Sequence, residues 1–235
     1  MAQEFDSYAA EYDELLDDPW RTRFTRDPSH FAERKLVVLL ALLKRAGRTP
    51  ARMRWLDIGC GRAELLAAGQ SVFASVTGCD VSGGMLQHAR SVPVVLQTDA
   101  SRLPFEPASF DLVTAVCVYH HVEPAARQAL AAEMARVLTD DGVAAIVEHN
   151  PWNPVVRQIV SRTPVDRDAK LLRASSARAL LASGGMSPVV TEYFMLLPQR
   201  LYGVAPWVER PMARVPAGGQ YMVMGVKGVS TAPAT

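Results

Sequence analysis

The 235 residues suit one large α/β domain better than two compact ones, and a composition 49% hydrophobic and 21% charged excludes wholesale disorder. A core of that size stands without disulfides or a structural metal. The formal net charge of +1 provides no global field toward nucleic acid or anionic lipid, so neither is expected as a partner.

The opening residues carry Glu4, Asp6, Glu11, Asp13, Glu14, Asp17 and Asp18, too acidic a run for a signal or transit peptide. Cys60, Cys79 and Cys117 have no metal-ligand spacing, which predicts reduced thiols, a cytoplasmic chain and no bound metal. A helix is predicted over residues 5–16, setting Tyr8 and Tyr12 on one face. A second is predicted over 30–45, ended by Gly47 and Pro50. Its apolar stretch, Leu36 to Leu43, is bounded by basic pairs and too short to span a bilayer. The basic run from Lys44 to Arg54 reads as a solvated linker, with an anion-binding surface as the alternative.

From Met53 onward short apolar runs alternate with helices. Strands are predicted over 53–58, 73–79, 92–97, 109–118 and 142–148, and helices over 64–68, 84–89 and 124–138. That rhythm predicts a parallel sheet with helices on both faces. Asn150-Pro151-Trp152-Asn153-Pro154 interrupts it and opens an insert to about Leu172. A helix over 175–182 follows, stopped by Gly184-Gly185. Late strands near 189–195 and 220–226 flank a Pro- and Trp-containing stretch, and a pair joined this way can be antiparallel. The expected organisation is a helical lid over 1–50 and one domain over 51–229. Substrate-side insertions near 150–174 and 196–217 and a frayed tail over 230–235 complete it.

The strongest chemical signal is Leu56-Asp57-Ile58-Gly59-Cys60-Gly61, where a buried strand ends in a glycine turn before a helix. Gly59 and Gly61 let the backbone take positive φ and let a ligand approach the main chain. Asp57 would repel a pyrophosphate but suits a ligand carrying an ammonium and a sulfonium. Asp80 of Cys79-Asp80-Val81-Ser82, at the end of the second strand, can accept ribose hydroxyls, although alone it reads equally as a helix cap. Asp99 of Thr98-Asp99-Ala100 can accept from an adenine amino group, with Met85 against the ring; by itself Met85 reads as core.

With Leu103 to Val122 added, these elements in this order resemble the class I S-adenosylmethionine-dependent methyltransferases, from about Met53 to Glu148. The resemblance implies a Rossmann-like, seven-stranded, mostly parallel sheet whose last strand is antiparallel. It also implies S-adenosyl-L-methionine as cofactor, leaving as S-adenosyl-L-homocysteine. The methionyl end would lie over Asp57, Gly59, Cys60 and Gly61, the ribose at Asp80 and Val81, and the adenine near Met85, Asp99 and Ala100. Cys117 ends the fourth strand on the same side and joins that set. Ala63 stands where the family's loop usually has a third glycine. More loosely, the Glu148-His149-Asn150-Pro151 turn and the final third look like bacterial small-molecule methyltransferases.

An acceptor hydroxyl or ammonium must lose a proton, which asks for a base in reach. In related small-molecule enzymes a histidine matching His121 can serve, sometimes with a tyrosine of an N-terminal lid. His121 is therefore the first catalytic candidate, as base or acceptor-orienter, with His149 second and Tyr8 or Tyr12 as lid contacts. A packing role for His121, and more so for His120, is the plain alternative. Trp152, Phe194, Tyr202 and Trp207 could line an acceptor pocket or belong to the core. The expected partner is a small-molecule methyl acceptor, and the expected assembly a monomer or homodimer. Two other readings are a donor-binding, non-methylating partner or cyclase, and a nicotinamide-dependent oxidoreductase. The oxidoreductase fingerprint wants glycine where Glu64 stands.

Overall fold

The computed structural model describes residues 2–89, 91–99 and 101–228, so Ala100 and the 230–235 tail lie outside the described residues. The N-terminal segment holds α1 (Ala2–Tyr8), α2 (Tyr12–Leu15), α3 (Pro19–Phe24) and α4 (Ser29–Arg45). Then come β1 (Arg54–Ile58), α5 (Glu64–Gly69), β2 (Ser75–Asp80), α6 (Gly83–Leu86), β3 (Val94–Leu96) and β4 (Phe110–Val116). They are followed by α7 (Arg127–Val137), β5 (Leu138–His149), α8 (Pro154–Arg162) and α9 (Ala174–Ser183). The chain closes with β6 (Met186–Phe194), α10 (Gln199–Val204), α11 (Glu209–Met212) and β7 (Gln220–Lys227).

The strands form one seven-stranded sheet in the order β3-β2-β1-β4-β5-β7-β6. β1 to β5 pair in parallel, and β7 runs antiparallel to both β5 and β6. This is the expected Rossmann-like sheet with its last strand reversed. Strand alternation separates two cores. Trp55, Leu112, Val143, Ala145 and Val147 cluster with Leu39, Leu42 and Leu43 of α4 and Leu65 and Leu66 of α5. On the other face Leu56, Ile58, Val113, Ala144 and Ile146 cluster with Leu130 and Met134 of α7 and Ala177 and Leu181 of α9. No helix among the described residues is long and apolar enough to cross a membrane.

The continuous helix expected over 5–16 is corrected to two short ones. Glu11 N–H closes on the Tyr8 carbonyl at 3.1 Å, so Tyr12 starts a new helix and does not share a helical face with Tyr8. The break accompanies docking on α6: one Asp6 oxygen accepts from Ser82 Oγ at 2.7 Å and from Gly84 N–H at 2.8 Å. The unforeseen α3 begins with Asp18 accepting from Trp20 and Arg21 N–H, with Pro19 in the first turn. The strand expected from Gly142 begins earlier, at Leu138, and the preceding helix stops at Val137.

A buried ion pair anchors the 196–217 segment to α4. Arg34 pairs with Glu209, and its guanidinium lies 3.3 Å from the centroid of the Tyr202 ring. The other Glu209 oxygen accepts from Leu196 and Leu197 N–H at 2.9 and 2.8 Å. Removing the carboxylate strands a buried guanidinium and two amides together. Glu209→Ala is expected to cost about 3–5 kcal/mol in equilibrium urea unfolding. Glu209→Gln, which can still accept from both amides, is expected to cost less; equal losses would show that the amides contribute nothing.

Candidate active site

All the parallel strands end at one edge of the sheet, and the acids at those ends gather there. Asp57 and Thr114 sit opposite one another on β1 and β4. The Thr114 hydroxyl donates to Asp57 Oδ1 and itself accepts from the Trp55 indole N–H at 2.8 Å. Asp57 is 3% exposed, and burial pushes its carboxyl up to about 7, with the Thr114 hydrogen bond and Lys35 acting in the other direction. The adjoining turn follows the glycine pattern: Gly59 has φ +64° and Gly61 φ +53°. Ala63 continues it at φ +59°, so the position of the family's third glycine takes a left-handed backbone here as well. Asp80 spans the turn, accepting from Gly61 N–H and Ser82 N–H, each at 2.8 Å. Burial raises its carboxyl, partly offset by those amides.

The loop after β4 supplies the other end of the site. Cys117 turns the chain at φ +57°, and Glu148, fully buried at the end of β5, accepts from Tyr119 N–H at 2.7 Å. Its second oxygen bonds His120 Nδ1 at 2.5 Å. Nε2 of His120 and Nε2 of His121 each lie 3.4 Å from Asp166 Oδ1. Burial opposes the charges in this cluster, but the opposite partners prevail: His120 is raised by Glu148 and Asp166, and Asp166 is lowered by the two imidazoles. His149 stands behind, its ring 5.2 Å from that of His120. Burial pushes its proton affinity down, but the neighbouring Cys117 sulfur outweighs that and leaves it raised. Gln220 of β7 donates to Cys117 Sγ at 3.4 Å.

One cavity of about 600 Å³ joins the two ends. Asp57, Gly59, Cys60, Gly61, Asp80, Val81 and Met85 line one part of it. Cys117, His120, His121, His149 and Asp166 line the other, and Tyr12 reaches it from α2. Burial raises the Tyr12 phenol, so at neutral pH it offers a hydrogen-bond donor and no base. The apolar wall comes from Phe5, Leu16, Trp20, Phe24 and Phe31 of the N-terminal helices and from Val156 and Ile159 of α8. The ring of Phe5 meets that of His121 edge-on at 5.0 Å.

Two expectations fall outside this enclosure. Asp99 is exposed and accepts from Ser101 N–H and Oγ at 2.8 and 2.6 Å, turned onto its own loop and away from the cavity lining. Trp152 and Trp207 are exposed, Phe194 is core, and Tyr202 stacks on Arg34, so none of the four lines the cavity. Glu148, Asp166 and Thr114 were not anticipated as site residues. A lone carboxylate ending the apolar run from Gly142 to Val147 was a visible sign for Glu148. Asp166 carried none, since only the folded insert brings it to the histidines.

Residues 56–146 match the model of a methyltransferase-domain family. An uncharacterized methyltransferase of Bacillus subtilis is 32% identical over 160 residues, covering 64% of this chain and 61% of that protein. The chain thus spans about three-fifths of that relative's length. The malonyl-[acyl-carrier protein] O-methyltransferase of Geobacter sulfurreducens is 28% identical over 212 residues, 84% of this chain and 78% of that one. A Thermotoga maritima structure, described as an S-adenosylmethionine-dependent methyltransferase and possible histamine N-methyltransferase, superposes with a TM-score of 0.68 at 18% identity. It covers 97% of this chain and 100% of its own. These matches liken residues 56–146 to a methyltransferase domain, and the sheet order is the fold of the S-adenosylmethionine-dependent methyltransferase structure on which the chain superposes.

Proposed function

We propose that this chain transfers the methyl group of S-adenosylmethionine to an oxygen or nitrogen of a small, largely apolar acceptor. The carrying observation is the single cavity that has the glycine turn and its acids at one end and the histidine–Asp166 corner at the other. About 600 Å³ lies within the range of small-ligand sites, and donor and acceptor would have to share it. Residues 1–50 act as a lid, and the insert carrying α8 and Asp166 closes the acceptor side.

In the reaction the acceptor's lone pair forms a bond to the methyl carbon, and the carbon–sulfur pair returns to sulfur. The sulfonium becomes the neutral thioether S-adenosylhomocysteine. Holding acceptor and methyl in line provides much of the acceleration. The acceptor proton goes to His121, or His121 only orients the acceptor while solvent takes it. Asp57, Asp80 and the main chain of Gly59 to Gly61 hold the donor, with Met85 and Val81 against its nucleoside.

Calorimetric titration with S-adenosylmethionine and, separately, with NADH tests the donor assignment. Micromolar binding of the first alone is expected, and it should be lost in Asp80→Ala. Gly59→Ala should lose it too, because a Cβ there would lie 2.5 Å from Val118 Cγ2 at a φ of +64°. NADH binding in place of the methyl donor would hand the site to an oxidoreductase.

Asp57 makes donor binding depend on pH. Its carboxyl is raised to about 7 in the free chain, so below that pH it is largely protonated, facing Thr114, Lys35 and Asp80. A donor ammonium beside it favours the carboxylate, so binding releases a proton and tightens as pH rises toward 7. Titrations in buffers of different ionisation heat should report close to one proton released per donor at about pH 6, shrinking by about pH 8. Proton uptake would place the ammonium elsewhere.

His121→Ala should lower turnover by about 10²-fold or more while donor affinity holds. A loss under about threefold would leave His121 as packing for the loop.

A further inference from the structure

We propose that His120, His121 and Asp166 bind a divalent, zinc-like cation at the acceptor end of the cavity. Nε2 of each histidine stands 3.4 Å from the same atom, Asp166 Oδ1, and all three ligand atoms fall within 4.8 Å of one another. A direct N–H···O hydrogen bond would close to about 2.9–3.0 Å. Neither pair closes that far. Ligand atoms bound at about 2.0–2.1 Å to one tetrahedral zinc stand about 3.3–3.4 Å apart, the spacing of both histidine–Asp166 pairs, while the two histidine nitrogens lie within 4.8 Å. An octahedral ion at the same bond length would draw them to about 3.0 Å.

A second observation is independent of that spacing. His120 is 1% exposed, and its Nε2 has no hydrogen-bond partner although it lines the cavity. Its Nδ1 is engaged by Glu148, the carboxylate–imidazole arrangement that orients metal-binding histidines and strengthens them as ligands. His121 brings a second ring nitrogen to the same Asp166 oxygen. Two protons, one on each ring, would be needed to bridge both pairs, whereas one cation would serve all three atoms.

The ligands are preorganised. His121 N–H closes a turn on the Val118 carbonyl at 3.0 Å, Lys170 N–H holds the His120 carbonyl at 2.7 Å, and Asp166 N–H holds Thr163 at 3.0 Å. Two imidazoles and one carboxylate favour zinc, cobalt or iron over magnesium or calcium. Three protein ligands leave a fourth position, and it opens into the cavity. The role of that position rests on the methyl-transfer reading, although the site itself does not. An acceptor hydroxyl there would lose its proton to solvent, and the cation would hold the resulting oxyanion. The oxygen lone pair would then form the bond to the methyl carbon as the carbon–sulfur pair returns to sulfur. His121 would act as a ligand, its lone pair no longer free to take a proton.

The test uses the full chain, stripped with a chelator and titrated with zinc chloride and, as an optical probe, cobalt(II) chloride. One equivalent of each should bind, with the intense visible absorption of four-coordinate cobalt. Asp166→Ala and His121→Ala should each weaken zinc by more than the about 10–100-fold typical of losing an outer-sphere partner. Both variants should still bind S-adenosylhomocysteine, which shows that they are folded. Should either lose that as well, Asp166→Asn takes its place under the same criterion. Absence of stoichiometric zinc binding in a chain that binds the methyl donor would overturn the proposal and leave the proposed function standing. Zinc retained undiminished in the folded variants, or a six-coordinate cobalt spectrum, would also overturn it. Zinc binding without donor binding would instead overturn the proposed function.

Discussion

The histidine end of the cavity depends on one buried carboxylate. Glu148 lies near the end of the interior strand β5, fully excluded from water, where an unpaired charge would be prohibitive. It is compensated by an amide of the neighbouring loop and the imidazole of His120. Because β5 is the longest strand and pairs with β4 and β7, its end is the least movable point available. The loop after β4 is consequently fixed by a side chain as well as by its own turn. The left-handed residue Cys117 starts that loop, and the two histidines emerge from it in set directions. Remove the carboxylate, and a buried amide and a buried imidazole lose their partner together.

The cavity walls are held by forces of different kinds. The 196–217 segment is secured by the Arg34–Glu209 pair, by Tyr202 over the guanidinium, and by Asn150, whose amide donates to the Pro216 and Gly218 carbonyls at 2.9 and 2.8 Å. Most of those groups are buried, and breaking one leaves others unsatisfied. Helices α1 and α2 are fastened differently. Asp6 caps α6, and Arg62 meets Asp13 at 2.8 Å through side chains 25% and 70% exposed. Exposed pairs of that kind contribute little.

Much of this was legible in the sequence because the relevant signals are local. Alternating apolar runs and helices define the sheet, and glycines at 59 and 61 mark a turn whose φ values require them. The same holds for Asp57, Asp80 and Met85, each at a fixed distance from a strand end, and all of which meet in the cavity. Helix α3 was legible and overlooked: Asp18-Pro19 is an N-cap followed by a proline in the first turn. The break after Tyr8 was not legible, since it comes from Asp6 docking 76 positions away on Ser82. Asp166 belongs to the same class. Its place in a single short turn of the insert has no periodic signature, and its meaning arises only where two histidines converge on it. Asp99 shows the converse, a locally convincing acid whose oxygens are turned onto its own loop.

The two ends of the cavity hold their negative charge in opposite ways. At the histidine corner each carboxylate has an imidazole facing it, so charge is largely answered within the protein. At the glycine turn Asp57 and Asp80 are buried with hydroxyl and amide hydrogen-bond partners, and burial raises both although Lys35 acts against it at Asp57. That end holds unanswered desolvation cost in the free chain. A ligand bringing positive charge relieves it, and S-adenosylmethionine brings two such groups, an ammonium and a sulfonium. Transfer of the methyl removes the sulfonium charge and leaves the ammonium.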